Sequence, residues 1–318
     1  MSIHRIDSRI SLVDLMDLSM HERTGSYIIK EKSLTIIETS ASPSIPHLKK
    51  GLSKLNINLE DIQYIILTHI HLDHAGGAGL FLQECPNATV IVHPKARRHL
   101  VDPSRLISGA KAVYGDKFDA LFHPIIPIPE ERIRVMEDRE SLDLSETCTL
   151  TFYHTPGHAN HHFSILDSVS NGMFTGDTSG IQYRVGPKRF YFPSTSPNQF
   201  NPDQMRHAIQ LYKECRLDRL YFGHFGETDQ VTYALSEVEE HLERFMEISK
   251  EHFVPSLPFE ENVKNVTSAL FHYASNWMTR HDVAPDHPVR ELLILDMQVS
   301  AMGIVDYFMK KPKGESTA

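Results

Sequence analysis

Four side chains able to bind metal fall within six consecutive residues, His69-Ile70-His71-Leu72-Asp73-His74. They follow the apolar run 64–67, which predicts a buried strand, and precede a glycine-rich turn. In extended backbone, residues two apart point to the same side, so His69 and His71 can converge on one ion. Asp73 and His74 follow where the chain turns and can face a second ion. Imidazole nitrogens and a carboxylate are suitable ligands for zinc, iron or manganese.

One such cluster cannot complete two coordination spheres, so further donors must come from other parts of the chain. Three are predicted at the ends of other short apolar runs, where each stands beside a glycine: His158, Asp177 and His224. The two oxygens of Asp177 could bridge a pair of cations. Residues displayed at strand ends on a rigid scaffold commonly carry catalysis. The repeated placement therefore favours one site assembled from several strand ends.

Short strands alternating with helices are predicted for the first two-thirds of the chain, which indicates an α/β fold. The predicted strands are 26–30 and 33–38 (a hairpin), 64–67, 88–92, 149–153, 163–166, 172–174 and 220–222. Helices are predicted at 80–84, 94–115 and 202–216, with a long aromatic and proline-rich loop at 180–202. From about residue 227, apolar side chains recur at helical spacing, and helices are predicted from 231, over 259–280 and over 287–310. A helical C-terminal region is thus added to an α/β body.

This ordered set of motifs resembles the metallo-β-lactamase superfamily of hydrolases over roughly residues 20–226. Its HxHxDH motif is met in full by residues 69–74, and its later motifs are met by His158, Asp177 and His224. The first motif usually places an aspartate after a strand, where this chain offers Glu38. The longer sequence segments THIHLDHAGG, TPGHANHH and FTGD are most similar to those of the lactonase, glyoxalase II and quinolone-signal thioesterase branches. A helical extension after the last motif also occurs in the glyoxalase II and thioesterase branches.

The resemblance implies an αββα metallo-β-lactamase sandwich as a catalytic domain over 1–226. It also implies a helical extension over 227–318 that covers the site or forms a dimer face. Two divalent metal ions are expected, with zinc favoured and iron or manganese as alternatives. By resemblance, one ion is held by His69, His71 and His158, the other by Asp73, His74 and His224, and Asp177 bridges them.

The resemblance also implies metal-assisted hydrolysis of a small-molecule acyl substrate, either a thioester or a lactone or other ester. Two cations make ionised water available near neutral pH and polarise the carbonyl. Asp73 would be the catalytic residue that orients the nucleophile or accepts its proton, so no serine or cysteine nucleophile is required. Substrate contacts are predicted for the aromatic side chains of the 180–202 loop, namely Tyr183, Tyr191 and Phe192.

The composition of the chain argues against several other classes of function. The 318 residues carry 41 acidic against 32 Lys and Arg side chains, a net charge of −9, which predicts no nucleic-acid partner. The 3 cysteines contain no CxxC pair, which excludes a disulfide scaffold and a cysteine-rich zinc module. No apolar run approaches the length of a membrane span and no signal-peptide core begins the chain, which predicts a cytoplasmic protein without membrane contact. A homodimer is left open.

Three alternatives remain beside the acyl hydrolase. A phosphodiesterase or nuclease on the same fold is disfavoured by the acidic balance and by the short spacings between His158, Asp177 and His224. A flavodiiron enzyme would place glutamate where this chain has His71 and would need a flavin domain for which there is no room. A metal-containing sensor that binds an acyl metabolite and signals through its helical region is not excluded by the intact ligand set.

Overall fold

The computed structural model describes residues 2–310, and the chain divides into two compact units. The first unit contains residues 2–155, 161–176 and 217–229, and the second contains the remaining stretches, 156–160, 177–216 and 230–310. The second unit therefore holds the C-terminal helices and also two stretches that were predicted to belong to the catalytic domain. Residues 311–318 of the predicted extension lie outside the described residues.

The strands are short, as expected from the sequence, and most have three to six residues. In chain order they are β1 (Ile3–Arg5), β2 (Ile10–Asp14), β3 (Gly25–Ile29), β4 (Leu34–Ile37), β5 (Ile62–Ile66), β6 (Thr89–Val92), β7 (Ile133–Val135), β8 (Ser141–Asp143), β9 (Thr149–His154), β10 (Phe163–Asp167), β11 (Gly172–Gly176), β12 (Ile181–Val185), β13 (Lys188–Phe192), β14 (Arg219–Phe222) and β15 (Glu227–Thr228).

The helices fall into a group of short ones and three long ones at the C-terminal end. They are α1 (Ile45–Lys54), α2 (Leu72–Ala75), α3 (Ala78–Leu82), α4 (Arg97–Val101), α5 (Ser104–Tyr114), α6 (Phe118–Phe122), α7 (Pro202–Glu214), α8 (Val231–His252), α9 (Phe259–Arg280) and α10 (Val289–Lys310). Short 3-10 turns lie at Asp17–Ser19, Ser42–Ser44, Leu59–Asp61, Gly115–Lys117 and Glu130–Arg132.

In the first unit, β1 to β7 form one sheet in chain order. The strands from β1 to β4 pair antiparallel, and those from β4 to β7 pair parallel. The parallel strands are rich in apolar residues, such as Ile65 and Ile66, because both faces of these strands are largely covered. Parallel strands end at the same edge of a sheet, so the residues that follow β4, β5 and β6 are brought together there.

The second sheet of this unit has the order β15-β14-β11-β10-β9-β8, with only β11 and β14 parallel. Side chains of both sheets share one apolar core, in which Tyr27 and Ile37 of the first sheet pack with Phe152, Phe163 and Phe174 of the second. Burial of such aromatic side chains contributes about 2–3 kcal/mol each to folding. The predicted hairpin and all the predicted strands lie in these two sheets.

The second unit contains the hairpin β12–β13, which replaces much of the long loop predicted for 180–202. The two strands pair in register from Ile181 opposite Phe192 to Val185 opposite Lys188. The loop prediction was wrong here because aromatic side chains beside glycine and proline were taken as irregular structure, whereas aromatic residues also favour strands. Helix α7 begins as predicted, and the Asn201 side chain accepts hydrogen bonds from two backbone N–H groups of its first turn.

The helix predicted over 94–115 is broken into α4 and α5. Asp102 lies between them with φ −127° and ψ 96°, and it precedes Pro103. The ring of a proline clashes with helical backbone at the residue before it, so the first helix must end there. The helical periodicity on either side was correctly predicted, but the effect of this internal proline was missed.

Within residues 2–310, helix α10 has the length and composition of a membrane span, and 44% of its most apolar window is buried in the structure. The expectation that no apolar run reaches such a length was therefore wrong for Val289–Lys310. The core helix of a globular protein meets the same test. Here α10 packs along α9, and Asp296 accepts a hydrogen bond of 2.6 Å from the Tyr183 hydroxyl. The absence of membrane contact stays a prediction.

Gly79 lies in α3, directly after the metal-binding motif, where the chain passes against residue 126. A Cβ atom at Gly79 would stand 1.9 Å from the backbone oxygen of Ile126, which a substitution cannot relieve without moving backbone. We expect Gly79→Ala to lower the free energy of unfolding by about 2 kcal/mol or more. Gly109→Ala is the matched control, because it lies within α5 with nothing within 4 Å of its would-be Cβ. That variant should gain about 0.5–1 kcal/mol. Urea unfolding of both variants measures the difference, and equal effects would contradict the packing argument.

Candidate metal centre

The site is built at the carboxyl ends of the parallel strands of the first sheet. Glu38 follows the last residue of β4, and His69 follows β5 by three residues. His71 is still extended, with φ −62° and ψ 147°, and directly precedes the four-residue helix α2. That helix carries Asp73 and His74. The change from extended to helical backbone therefore separates the two predicted pairs of donors, as the spacing in the sequence predicted.

Three donors of the first unit converge on one point. Asp73 Oδ2 lies 3.8 Å from His74 Nε2 and 3.7 Å from His224 Nε2. The three ligand atoms lie within 4.8 Å of one another, a group that could hold a metal ion. These separations exceed a hydrogen bond, whereas ligands about 2.1 Å from a tetrahedral cation stand about 3.4 Å apart. The geometry of Asp73, His74 and His224 therefore fits a divalent cation.

Glu38 fixes the orientation of His74. Its Oε2 lies 3.0 Å from His74 Nδ1, and its Oε1 accepts a hydrogen bond of 2.7 Å from the Thr68 backbone N–H. A carboxylate on Nδ1 holds the proton of a neutral imidazole there and directs the Nε2 lone pair outward, the arrangement usual for metal-bound histidine. Glu38 is 2% exposed and has φ +71°, a backbone conformation rare for this residue type. The role left open for Glu38 by the sequence is thus the positioning of His74.

His69 and His71 stand beside this group in the same unit. Their ring centroids are 4.6 Å apart with the rings perpendicular, and the His69 ring is 4.2 Å from that of His74. His69 is fully buried, and its Nδ1 lies 3.1 Å from the Thr68 hydroxyl. Its Nδ1 therefore has a hydrogen-bonding partner, which leaves Nε2 as the nitrogen suited to an ion.

His158 and Asp177 belong to the second unit, where they lie together. His158 Nε2 is 3.6 Å from Asp177 Oδ2, again longer than a hydrogen bond. His158 Nδ1 donates to the Ser194 backbone oxygen at 2.9 Å, because a carbonyl oxygen only accepts. The neutral His158 ring therefore presents an unprotonated Nε2 beside the carboxylate. Both side chains are buried, at 2% exposure each.

The structure thus places the seven predicted ligands in two groups. One group lies in the first unit (His69, His71, Asp73, His74 and His224) and the other in the second (His158 and Asp177). Each group has donor separations and imidazole orientations that suit metal binding. The assignment of these residues to two ions, and of catalysis to Asp73, stays a prediction from the sequence.

The three predicted substrate contacts lie in the β12–β13 hairpin and are buried there. Tyr183 donates a hydrogen bond to Asp296, Tyr191 is within reach of the Gln182 amide, and Phe192 packs against Phe245. None is more than 3% exposed. Their side chains therefore have packing roles within the second unit, and contact with substrate remains a prediction for them.

Tyr27 supports the loop that carries His224 and was not singled out from the sequence. Its hydroxyl, fully buried, lies 2.8 Å from the Phe222 backbone oxygen and 2.6 Å from that of Gly226. Burial raises the pKa of Tyr27 well above its usual value, so the phenol stays protonated and donates. Nothing in a strand such as Gly25–Ile29 distinguishes this tyrosine from an ordinary core residue.

The loop between β2 and β3 places a buried ion pair near the site, also missed from the sequence. Arg23 Nε donates to Asp17 Oδ2 at 3.0 Å, with the two side chains 7% and 1% exposed. Burial raises the pKa of Asp17, while Arg23 opposes that shift; Asp73 and His224 are close enough to act on the same carboxyl. The loop also holds Met16 and Leu18 at φ +52°. A short loop of mixed apolar and charged residues between strands gives no signal of such pairing.

The histidines around the motifs have structural partners. His162 Nδ1 lies 3.0 Å from the Thr155 hydroxyl, and His161 Nδ1 accepts a long hydrogen bond from the Ile70 N–H at 3.4 Å. His93, which follows β6, packs against His154 with ring centroids 4.1 Å apart and the rings tilted by 41°. Burial, and then the neighbouring His154, lower the pKa of His93 to about 3. His93 is therefore neutral at physiological pH.

Comparison with known families identifies the class of protein. The model of the metallo-beta-lactamase superfamily matches residues 24–224, more than half of the chain. The chain therefore belongs to the metallo-β-lactamase superfamily, as the motifs predicted. The α/β fold class, an αββα sandwich of this type with a C-terminal helical region, is confirmed as well.

Individual relatives agree with this assignment. The crystal structure of ST1585, an archaeal metallo-beta-lactamase superfamily protein from Sulfolobus tokodaii, superposes with a TM-score of 0.65, covering 94% of this chain and 97% of that one at 21% identity. In sequence, the metallo-beta-lactamase fold-containing protein ST1585 from Sulfurisphaera tokodaii is 32% identical to this chain. The match covers 39% of this chain and 48% of the relative's own length. The N-acyl homoserine lactonase AttM of Rhizobium radiobacter is 29% identical over 38% of this chain and 41% of its own length. The matched segments thus span about half of these curated relatives.

Proposed function

We propose that this protein is a dinuclear-metal-dependent hydrolase that cleaves an ester-type acyl bond, in a thioester or a lactone. The observation that carries the proposal is the convergence of Asp73, His74 and His224 on one point, with Glu38 behind His74. A surface histidine cluster would not need a buried carboxylate to fix one of its rings. Such an orienting partner is characteristic of metal ligands.

The chain supplies the ligands and the positioning. When bound, the metal ions would make water acidic enough to ionise near neutral pH and would polarise the substrate carbonyl. Asp73 is the most accessible of the three convergent donors, with 22% of its side chain exposed against 1% for His74 and 6% for His224. It can therefore meet the attacking water and take its proton. No buried cysteine is suited to act as nucleophile, because burial raises the pKa of Cys85 and Cys148 to about 12.

The metal set follows from the resemblance. We propose two ions, zinc in preference to iron or manganese, with His158 and Asp177 completing the ligands supplied by the first unit. In this assignment Asp177 would be shared between the two ions. Imidazole and carboxylate ligands can bind zinc, iron and manganese, so metal analysis must determine which metal is used.

An acyl substrate is favoured over a phosphodiester by the acidic balance of the chain and by its likeness to a protein named as an N-acyl homoserine lactonase. We also propose that the protein is cytoplasmic, has no nucleic-acid or membrane partner, and uses its C-terminal helices to cover the site or to form a homodimer. A sensor of acyl metabolites with little turnover is the remaining alternative.

The test is a substrate panel with the zinc-, iron- and manganese-loaded protein. Acyl-CoA and glutathione thioesters, N-acyl homoserine lactones and bis(p-nitrophenyl) phosphate would be compared by kcat/KM, with metal content measured on the same samples. We expect about two ions per chain and a thioester or lactone turned over at least about a hundredfold faster than the phosphodiester. Turnover of the phosphodiester alone would refute the acyl-hydrolase proposal. Tight acyl-ligand binding without turnover by fully metal-loaded protein would favour the sensor.

A further inference from the structure

A groove between α8 and α9 has the size of a small-molecule site. Its volume is about 460 Å³, which lies within the range of ligand pockets. Helix α8 contributes Ile248 and His252, and α9 contributes Tyr273, Trp277 and Arg280 among others. All of these residues belong to the second unit, and none is a predicted metal ligand.

The residues that line the groove combine a positive charge with aromatic surface. Of the described residues that line it, none is acidic, although the chain as a whole carries a net charge of −9. Arg280 has no carboxylate partner among residues 2–310, and the imidazoles of His252 and His272 add further polar groups. Tyr273 and Trp277 add aromatic surface on the same side of α9, because residues four apart lie on one face of a helix. A cation beside two rings suits an anion that bears a flat apolar body.

Two buried polar groups at the groove lack hydrogen bonds. The indole Nε1 of Trp277 has no partner within the described part of the chain, nor has Nε2 of His241. His241 is fully buried behind the groove, with its ring edge-on to Trp277 at 4.7 Å and its Nδ1 2.8 Å from the Tyr273 hydroxyl. Buried polar groups without partners are rare because they are costly. An acceptor atom of a bound ligand would give the indole Nε1 the partner that it lacks.

We propose that this groove binds a small aromatic carboxylate. The ring would stack on Trp277 and Tyr273, the carboxylate would pair with Arg280, and an acceptor atom would receive the indole N–H. This site is additional to the metal centre, and the proposal holds for any substrate of the proposed hydrolase.

The chain contains 1 tryptophan, so a probe at that position reports on the groove alone. Full-length protein made with 5-fluorotryptophan should give a single ¹⁹F resonance, from position 277. Titration with 1-naphthoate, the probe ligand, should shift this resonance in a saturable way. Calorimetry should give a dissociation constant roughly tenfold lower for 1-naphthoate than for the neutral 1-naphthalenemethanol, since a charge-assisted contact is lost in the alcohol.

Arg280→Gln should weaken 1-naphthoate binding roughly tenfold. Lys264→Gln is the matched control, because it removes one exposed positive charge from the same helix without lining the groove, and it should leave the affinity unchanged. Arg280 is exposed at the end of α9, so its replacement does not put folding at risk. The proposal is overturned if the ¹⁹F resonance does not respond, if the alcohol binds as well as the acid, or if the two variants bind alike.

Discussion

Replacing Asp73 by asparagine is expected to lower kcat/KM for the thioester or lactone substrate by about a thousandfold. The carboxylate oxygen that stands 3.8 Å from His74 Nε2 and 3.7 Å from His224 Nε2 would become part of a neutral amide. The amide is a poorer metal ligand and cannot accept a proton near neutral pH. Steady-state kinetics and metal analysis of the same preparation measure both consequences.

The matched control for this variant is Asp229→Asn, which removes an exposed carboxylate from the same unit. It should keep the activity and the metal content of the unaltered protein. If Asp73→Asn retained more than about a tenth of the activity, general acid–base catalysis by Asp73 would be refuted. If it lost activity but kept its full metal content, Asp73 would act on the proton and not as an indispensable ligand.

Replacing Glu38 by glutamine is expected to weaken metal binding by about 10- to 100-fold without a change in shape. The Thr68 N–H is a fixed donor, so the oxygen of the new amide must face it and the amide nitrogen must face His74 Nδ1. His74 would then accept at Nδ1 and carry its proton on Nε2, the nitrogen that should bind the ion. Competition with a zinc-chelating dye would measure the loss of affinity.

Glu146→Gln serves as its control, since Glu146 is an exposed carboxylate of the first unit. Glu38→Asp keeps the charge that orients His74 and should recover part of the affinity, with a deficit due to its shorter side chain. A Glu38→Gln variant that binds zinc as tightly as the unaltered protein would show that the tautomer of His74 is not set by this carboxylate.

Much of the fold could be predicted because buried strands are recognisable in the sequence as short apolar runs. The apolar run 64–67 became the end of β5 in the parallel sheet, and the paired runs near Tyr27 and Ile37 became a hairpin. Where the signal was ambiguous the prediction failed. The stretch 181–192 mixes strand-forming aromatics with charged residues, and its pairing is settled by packing against helices far along the chain.

The candidate site was predictable to the extent that its residues are close in sequence. The relative directions of four ligand side chains follow from their spacing in the sequence, because extended and helical backbone fix where each side chain points. These residues are His69, His71, Asp73 and His74. Tyr27 could not be found in this way, because it holds a loop 195 residues away. The pairing of Asp17 with Arg23 depends equally on how a turn is folded, which local propensity does not determine.

The two units are interleaved along the chain, and this limits where the gene can be shortened. The chain leaves the first unit after Thr155, returns at His161, leaves again after Gly176 and returns at Leu217 before the last helices begin. The stretches that carry His158 and Asp177 therefore complete the same compact body as the C-terminal helices. Shortening the gene after residue 229 would not yield a minimal catalytic core. It would strip the hairpin of its covering helices and leave Tyr191 and Phe192 exposed to water.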